Sequence, residues 1–130
     1  MWLVGLSEVS VAQLAAAARI VEIASVQNLY NLSERRSQDV LEYAEKHEIG
    51  FIPWFPLATG NLTGGDSAAG AIARDRGVSP SQVALAWLLA ASPVVLPIPG
   101  TSSQAHLREN VAAAAIHPTG DEVARLDGKA

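Results

Sequence analysis

Cysteine is absent from all 130 residues of the chain. Its absence excludes disulfide bonds and every metal site built on thiolates. The histidines His47, His106 and His117 are scattered and lack the spacing of metal ligands. We therefore predict no metal site, and the composition suits a protein of the reducing cytoplasm.

Long apolar runs and clustered positive charge are also missing. No run reaches the roughly 18 residues typical of a transmembrane helix, and no basic region precedes an apolar stretch at the N-terminus. Nine Lys and Arg stand against 13 Asp and Glu, so the net charge is −4. These features predict a cytoplasmic protein with neither a nucleic-acid nor a membrane partner.

What the chain does contain is a regular alternation of short apolar runs with helical patterns. With 49% apolar and 17% charged residues, it is expected to fold as one domain over residues 1–130. The apolar runs predict four strands, at 2–6, 21–27, 51–55 and 94–98. The helical patterns and their capping residues predict helices at 11–20, 37–47, 71–77, 80–91, 104–115 and 121–127. Residues 56–70 read as a loop rich in Gly, Ser and Thr.

Repeated strand–helix alternation is typical of an α/β fold made of right-handed parallel βαβ units. Two architectures fit four such units. One is half of a (β/α)8 TIM barrel, with four parallel strands alternating with helices. The other is a flavodoxin-like open sheet. The pattern alone leaves both open.

In both architectures the functional edge is formed by the carboxyl ends of the strands. The residues predicted there are Ser7, Glu8, Gln27, Asn28, Trp54, Phe55, Gly100, Thr101, Ser102 and Ser103. This set of hydroxyls, amides and one aromatic pair indicates a binding surface rather than a reaction centre.

The turn after the last predicted strand has the most specific chemistry. Gly100 permits a close backbone approach, and Thr101 and Ser102 offer hydroxyl groups. The following helix would present free N–H groups and a positive dipole end, with His106 one turn inside. A phosphate would fit there. The alternative is that Ser103 only caps the helix.

Three other side chains each allow two interpretations. Trp54 either stacks on a planar ring or belongs to the core. Gln27 binds either a ligand amide or its own loop. Glu8 is either a general base or a solvated carboxylate. No motif names a catalytic residue, because GNLTGGDSAAG is neither GxGxxG nor a P-loop and no GxSxG occurs.

Five segments, in order, give the chain a specific family resemblance. They are GLSEVS, VQNLYNL, DVLEYAEKHEIGFIPWFPLATGNL, GVSPSQVALAWLLA and VVLPIPGTSSQAHLRENVAAA. Together the segments resemble the C-terminal half of an aldo-keto reductase. The resemblance implies strands five to eight of a (β/α)8 barrel and an NADP(H)-dependent oxidoreductase acting on aldehydes and ketones.

The resemblance also implies roles for individual residues along a bound dinucleotide. It assigns Ser7 and Gln27 to the nicotinamide carboxamide, Trp54 to the nicotinamide ring, and Phe55 and Leu57 to the pyrophosphate. It assigns Gly100, Thr101, Ser102 and His106 to the 2′-phosphate, and Glu109 and Asn110 to the adenine.

Two departures from the family pattern qualify this expectation. Glu8 stands where the family usually has Asn, and a carboxylate cannot donate a hydrogen bond as that amide can. The family's catalytic Asp, Tyr, Lys and His lie on strands with no counterpart in this chain, so we predict no catalytic residue here and no activity alone. The open strand edges of a half-barrel predict a homodimer or a complementary half-barrel partner. The alternatives are activity with a partner chain, and a structural module without a ligand.

Overall fold

The computed structural model describes residues 2–57 and 67–128, so the central part of the predicted loop, 58–66, lies outside the described residues. Its three strands are β1 (Val4–Ser7), β2 (Ile23–Leu29) and β3 (Gly50–Trp54). The helices are α1 (Val11–Ala18), α2 (Gln38–Lys46), α3 (Ala68–Arg76), α4 (Pro80–Ala91), α5 (Gln104–Ala112) and α6 (Gly120–Leu126). A 3-10 turn at Ala113–Ala115 follows α5.

The order of the strands distinguishes the two predicted architectures. β1, β2 and β3 are parallel and lie side by side in sequence order. Phe51 of β3 then forms a parallel bridge with Val95, which places the next segment beyond β3. A flavodoxin-like sheet reverses its strand order, whereas a barrel winds in one direction. The prediction of a partial β/α barrel is therefore confirmed, with the sheet left open.

The predicted fourth strand, 94–98, is wrong as a strand. The Phe51 N–H donates to the Val94 carbonyl at 2.8 Å, and the Leu96 N–H donates to the Phe51 carbonyl at 2.8 Å. Pairing stops there, because Pro97 and Pro99 have no N–H to donate. A single bridge therefore replaces the expected strand, and the segment around Val95 still lies next to β3, where the fourth strand of a partial barrel would lie.

The first two strands begin two residues later along the chain than the apolar runs predict. Trp2 is 94% exposed and Leu3 is 74% exposed, so the apolar run begins before β1 does. β2 continues to Leu29, two residues beyond the predicted end. Hydrophobicity marks residues that favour burial, while pairing with a neighbour decides where a strand stops. Ser7 and Gln27 consequently lie inside the strands.

The register of the sheet sorts the strand residues into two faces. Leu6, Val26, Phe51 and Val95 are aligned across the sheet, and Val26 and Phe51 are fully buried. This face packs into the helix-covered core, which includes Leu14, Leu41, Ile72, Leu85 and Leu88. The opposite face carries Gly5, Ser25 and Gly50 in one row, with Ser7, Gln27 and Ile52 in the next. These residues are half-buried or exposed, so the inner face of the partial barrel is open.

A bidentate ion pair joins the last helix to α3. Arg76 donates to both carboxylate oxygens of Glu122, at 2.7 and 2.6 Å. Glu122 also accepts the Thr119 N–H at 2.7 Å as part of the capping box of α6. These hydrogen bonds lower the pKa of Glu122 from 4.5 to about 2, and the Arg76 bond contributes most.

This pair predicts a defined pH dependence of stability. The folded-state pKa of Glu122 is depressed, so its contribution is present above pH 4.5 and is lost as the pH falls toward about 2. We expect Glu122→Gln to lower Tm by about 2–4 °C at pH 7, and by much less near pH 2. Thermal unfolding followed by circular dichroism measures both values. Asp121→Asn, in the same helical turn, is the control and should change Tm less. An equal loss at both pH values would contradict the assignment.

Candidate binding site at the strand ends

Three predicted residues lie on the open face at the carboxyl ends of the strands. Ser7 and Gln27 are directly paired across β1 and β2, and Trp54 is paired with Leu29 across β2 and β3. Ser7 is exposed, while Gln27 and Trp54 are half-buried. The core interpretation of Trp54 is therefore wrong, since its ring lies at the rim of the open face and not under the helices.

Asn28 points the other way and has a structural role. It is 4% exposed and lies on the helix-covered face. Its Oδ1 accepts the Val9 N–H at 3.1 Å, and its Nδ2 donates to the Val9 carbonyl at 2.9 Å and to the Ser37 hydroxyl at 3.3 Å. Because neighbouring strand residues alternate between faces, Gln27 and Asn28 cannot both serve the open face.

Glu8 bridges the ends of all three strands. Its backbone N–H donates to the Gln27 carbonyl at 2.9 Å. Its Oε1 accepts the Leu29 N–H and the indole N–H of Trp54, each at 2.6 Å. Glu8 is exposed, as the interpretation of a solvated carboxylate predicts, but it also makes hydrogen bonds that this interpretation does not include. The sequence contains no signal for this contact, because 46 residues separate Glu8 from Trp54.

The environment of Glu8 keeps its carboxylate charged. The Trp54 hydrogen bond is the largest cause that lowers the pKa of Glu8 below its ordinary value, and the Leu29 N–H adds to it. Arg36 lies at 3.9 Å from Oε2 and acts in the same direction. A group with this pKa is a poor general base at neutral pH, so the geometry favours a positioning role over the catalytic one.

Asn31 is a residue of this region that the sequence analysis missed. It is 1% exposed, and its Nδ2 donates to the Phe55 carbonyl at 3.0 Å. Its Oδ1 accepts the N–H groups of Ser33 and Glu34, each at 2.9 Å. Phe55 has a positive φ of 58°, a strained conformation for a residue other than glycine. Asn31 therefore holds the backbone that follows Trp54. The only signal was an Asn within an Asn–Leu–Ser turn pattern.

A second group of predicted residues lines one cavity of about 320 Å³. Its members are Leu57, Gly100, Thr101, His106, Glu109 and Asn110, together with Ser79, Pro80 and Ser81. The last three were predicted only as the start of a helix, so their place in the cavity was missed. Leu57 in this cavity follows Trp54 at the open face by only three residues, so the two regions are joined by a short stretch of chain.

The turn at 100–103 has two structural hydrogen bonds. Ser103 caps α5 by accepting the His106 N–H at 3.4 Å, and the Thr101 hydroxyl accepts the Ser103 N–H at 3.1 Å. Nothing lies within 4 Å of a Cβ added at Gly100, so no close protein contact demands glycine there. Ser103 therefore caps α5, and this cap leaves the Thr101 hydroxyl proton available. Ser102 is exposed but is not among the residues that line the cavity.

Two helix N-termini border this cavity. Ser79 caps α4 and Ser103 caps α5, and Pro80 and His106 in the first turns of these helices line the space. Both ends contribute partial positive charge and N–H groups, which favours an anion. Gln82 links the helices by donating to the Glu109 carbonyl at 3.1 Å. The Glu109 carboxylate also lines this cavity and can accept hydrogen bonds from a ligand. A ligand with both an anionic group and a hydrogen-bond donor therefore fits best.

Another cavity, of about 420 Å³, is lined by residues of the helices and of the loops beside them, and its main polar side chains already bond to one another. Its Arg35 donates to Asp127 at 2.8 Å and lies 4.5 Å from the ring centre of Trp87. Trp87 donates to the same Asp127 at 3.0 Å, and Tyr30 donates to Gln38. These polar groups pair with one another and hold the end of α6, so we assign no binding site to this cavity.

The described residues contain no group of His, Asp and Glu side chains placed to hold a metal ion. Within residues 2–57 and 67–128 there is also no helix with the length and hydrophobicity needed to cross a bilayer.

Comparison with known proteins identifies the fold of which this site is part. The model of the aldo/keto reductase family matches residues 3–130. Over 124 residues the chain is 49% identical to the uncharacterized oxidoreductase C215.11c of Schizosaccharomyces pombe, covering 95% of this chain and 40% of that protein. It is 44% identical to pyridoxine 4-dehydrogenase of Escherichia coli, covering 96% of this chain and 43% of that protein.

A solved structure shows the same arrangement with a cofactor. The aldo-keto reductase of Klebsiella pneumoniae in complex with NADPH superposes with a TM-score of 0.86 at 32% identity. The match covers 95% of this chain and 46% of that one. The chain thus spans less than half the length of these relatives, and the resemblance found in the sequence is confirmed.

The role of Asn31 gives a stability prediction. We expect Asn31→Ala to lower the free energy of unfolding by about 2–3 kcal/mol, because three backbone groups lose a buried partner. Urea denaturation measures the change. Asn110→Ala removes the same side chain at a half-buried position of the cavity and should cost less than about 1 kcal/mol. Equal losses for the two variants would contradict the bracing role.

Proposed function

Since the chain belongs to the aldo/keto reductase family, we propose that it forms the NADP(H)-binding part of an oxidoreductase. The observation that carries the proposal is the continuity of the site. Trp54 borders an open face with Ser7 and Gln27, and three residues later Leu57 lines the cavity between two helix N-termini. An extended dinucleotide needs a flat aromatic and amide surface at one end and an anion site at the other.

The open face supplies the groups that a nicotinamide needs. The Gln27 amide can donate and accept hydrogen bonds, and the Ser7 hydroxyl can do both. Trp54 offers a ring face for stacking, with its N–H already bonded to Glu8. The neighbouring row of the open face consists of the small residues Gly5, Ser25 and Gly50, so that row carries no bulky side chain.

The cavity supplies the groups that the adenosine end needs. Thr101, His106 and the N-termini of α4 and α5 suit a 2′-phosphate, and Glu109 and Asn110 suit the adenine amino group. Phe55 and Leu57 border the path between the two ends. No Lys or Arg lines the cavity among the described residues, so helix ends and hydroxyls provide most of the attraction for the phosphate.

In this proposal the residues of this chain bind and orient the dinucleotide, and groups outside the chain donate and accept the proton. A bound nicotinamide supplies or accepts a hydride at a carbonyl carbon. No residue at the open face is placed as a proton donor in this proposal, because Glu8 is held ionised by Trp54 and Leu29. We therefore propose that reductase activity requires catalytic groups outside this chain. The cytoplasmic location stays a prediction.

The exposed edges of the sheet support a partner that completes the barrel. Before β1, Trp2 and Leu3 are exposed, and after the bridge at Val95 so are Leu96 and Ile98, at 61% and 46%. Apolar side chains beside open sheet edges favour association. We propose that a second copy or a complementary half-barrel covers them.

Cofactor titration tests the proposed function. We expect saturable NADPH binding by calorimetry, weakened about three- to tenfold by Thr101→Ala and by His106→Ala. NADH affinity should change less, because it lacks the 2′-phosphate. The control His117→Ala, outside the cavity, should bind NADPH like the unchanged chain. Absence of binding at millimolar NADPH would refute the proposal.

Sedimentation equilibrium tests the partner proposal. We expect self-association of the isolated chain at micromolar concentration, reduced by Leu3→Lys beside the β1 edge. Leu107→Lys is the control, since Leu107 is 55% exposed on α5 and belongs to neither of these two edge segments. A strict monomer at all concentrations would contradict the homodimer.

A further inference from the structure

The carboxylate of Glu8 is a fixed negative charge at the rim of the open face. It follows Ser7 directly, and its Oε1 lies 2.6 Å from the indole nitrogen of Trp54. Ser7 and Trp54 are two of the three residues that the proposed function places around the nicotinamide. The charge therefore lies at the nicotinamide end of the proposed site, while the phosphates would lie at the cavity.

The position of this charge is rigid. The Glu8 backbone has a positive φ of 53° and is tied to Gln27, while the side chain is tied to Leu29 and Trp54. Two hydrogen bonds to Oε1 restrain this carboxylate from turning away when a ligand enters. Its only cationic neighbour among the described residues is Arg36, at 3.9 Å from Oε2, and both side chains are about half exposed or more. Arg36 therefore offsets the charge only in part.

The two redox forms of the cofactor differ in charge at that end alone. The oxidised nicotinamide ring carries a positive charge and the reduced ring is neutral, while the phosphates are the same in both. A nearby anion stabilises the cationic ring and leaves the neutral one almost unaffected. We propose, resting on the proposed function above, that Glu8 makes this site bind NADP+ more tightly, relative to NADPH, than an uncharged residue at position 8 would, and so lowers the reduction potential of the bound cofactor.

The same carboxylate positions the stacking ring. With the indole N–H held by Glu8, the Trp54 ring has one orientation at the rim. An amide at position 8 would keep an acceptor for Trp54 and Leu29 and would remove only the charge. Glu8→Gln therefore separates the electrostatic effect from the positioning effect.

The experiment compares dissociation constants for NADP+ and NADPH by calorimetry with the 130-residue chain. The ratio of the two constants cancels the contribution of the phosphates. We expect Glu8→Gln to shift this ratio toward NADPH by about three- to tenfold at low salt, and by less as added salt screens the charge. Glu45→Gln, an exposed carboxylate on α2, removes the same net charge and should leave the ratio unchanged.

Arg36→Gln provides a second test that leaves Glu8 in place. Removal of the cation should shift the ratio in the opposite direction, toward NADP+. The inference is overturned if Glu8→Gln leaves the ratio unchanged, if Glu45→Gln shifts it equally, or if Arg36→Gln shifts it toward NADPH. Failure of both cofactors to bind the unchanged chain would instead refute the proposed function, and this inference with it.

Discussion

The register of three parallel strands over a covered face is the constraint from which the rest of the molecule follows. Val26 and Phe51 are fully buried in one row, and Leu6 and Val95 extend that row on either side. A shift of one residue in any strand would turn its apolar side chains away from the helices. The same alternation places Ser7, Gln27 and Trp54 on the open face. One strand register therefore determines both which side chains are buried in the core and which line the candidate site.

The strand ends are held by polar side chains rather than by further regular structure. Asn28 and Asn31 bond to backbone groups in a neighbouring loop, and the Glu8 side chain accepts the N–H of Leu29 at the end of β2. These bonds fix loops in which Glu8 and Phe55 adopt positive φ, at a cost that the surrounding hydrogen bonds offset. A loop positioned in this way is a better support for a ligand than one held only by its own short hydrogen bonds.

The candidate site consists of the open face, which carries a negative charge at its rim, and the cavity between the N-termini of two helices. The negative charge of Glu8 lies at one end, and the partial positive charges of α4 and α5 lie at the other. This polarity matches a ligand with a cationic or neutral ring at one end and phosphate at the other. It also explains why the larger cavity at Arg35 and Trp87 is unsuited to such a ligand, since its charges are already paired.

Much of the fold was determined by local sequence. The starts of the helices predicted at 11, 80, 104 and 121 were found from the sequence within about one residue, because a helix start is a local feature. The capping residues are Ser10, Ser79, Ser103 and Thr119, and each accepts a hydrogen bond from the N–H three residues later. The apolar runs located β1, β2 and β3 within about two residues. The winding in one direction was left open, because the order of strands depends on contacts between distant segments that periodicity does not record.

The site was predicted unevenly for the same reason. The sequence by itself determined which residues carry hydroxyls, amides and aromatic rings near the strand ends, since these follow directly after apolar runs. Only the tertiary structure decided that 94–98 forms a single bridge, that Asn31 holds Phe55, and that Glu8 binds Trp54. Each of these depends on pairing between segments more than 20 residues apart, where the geometry of the whole sheet, and not local propensity, sets the contact.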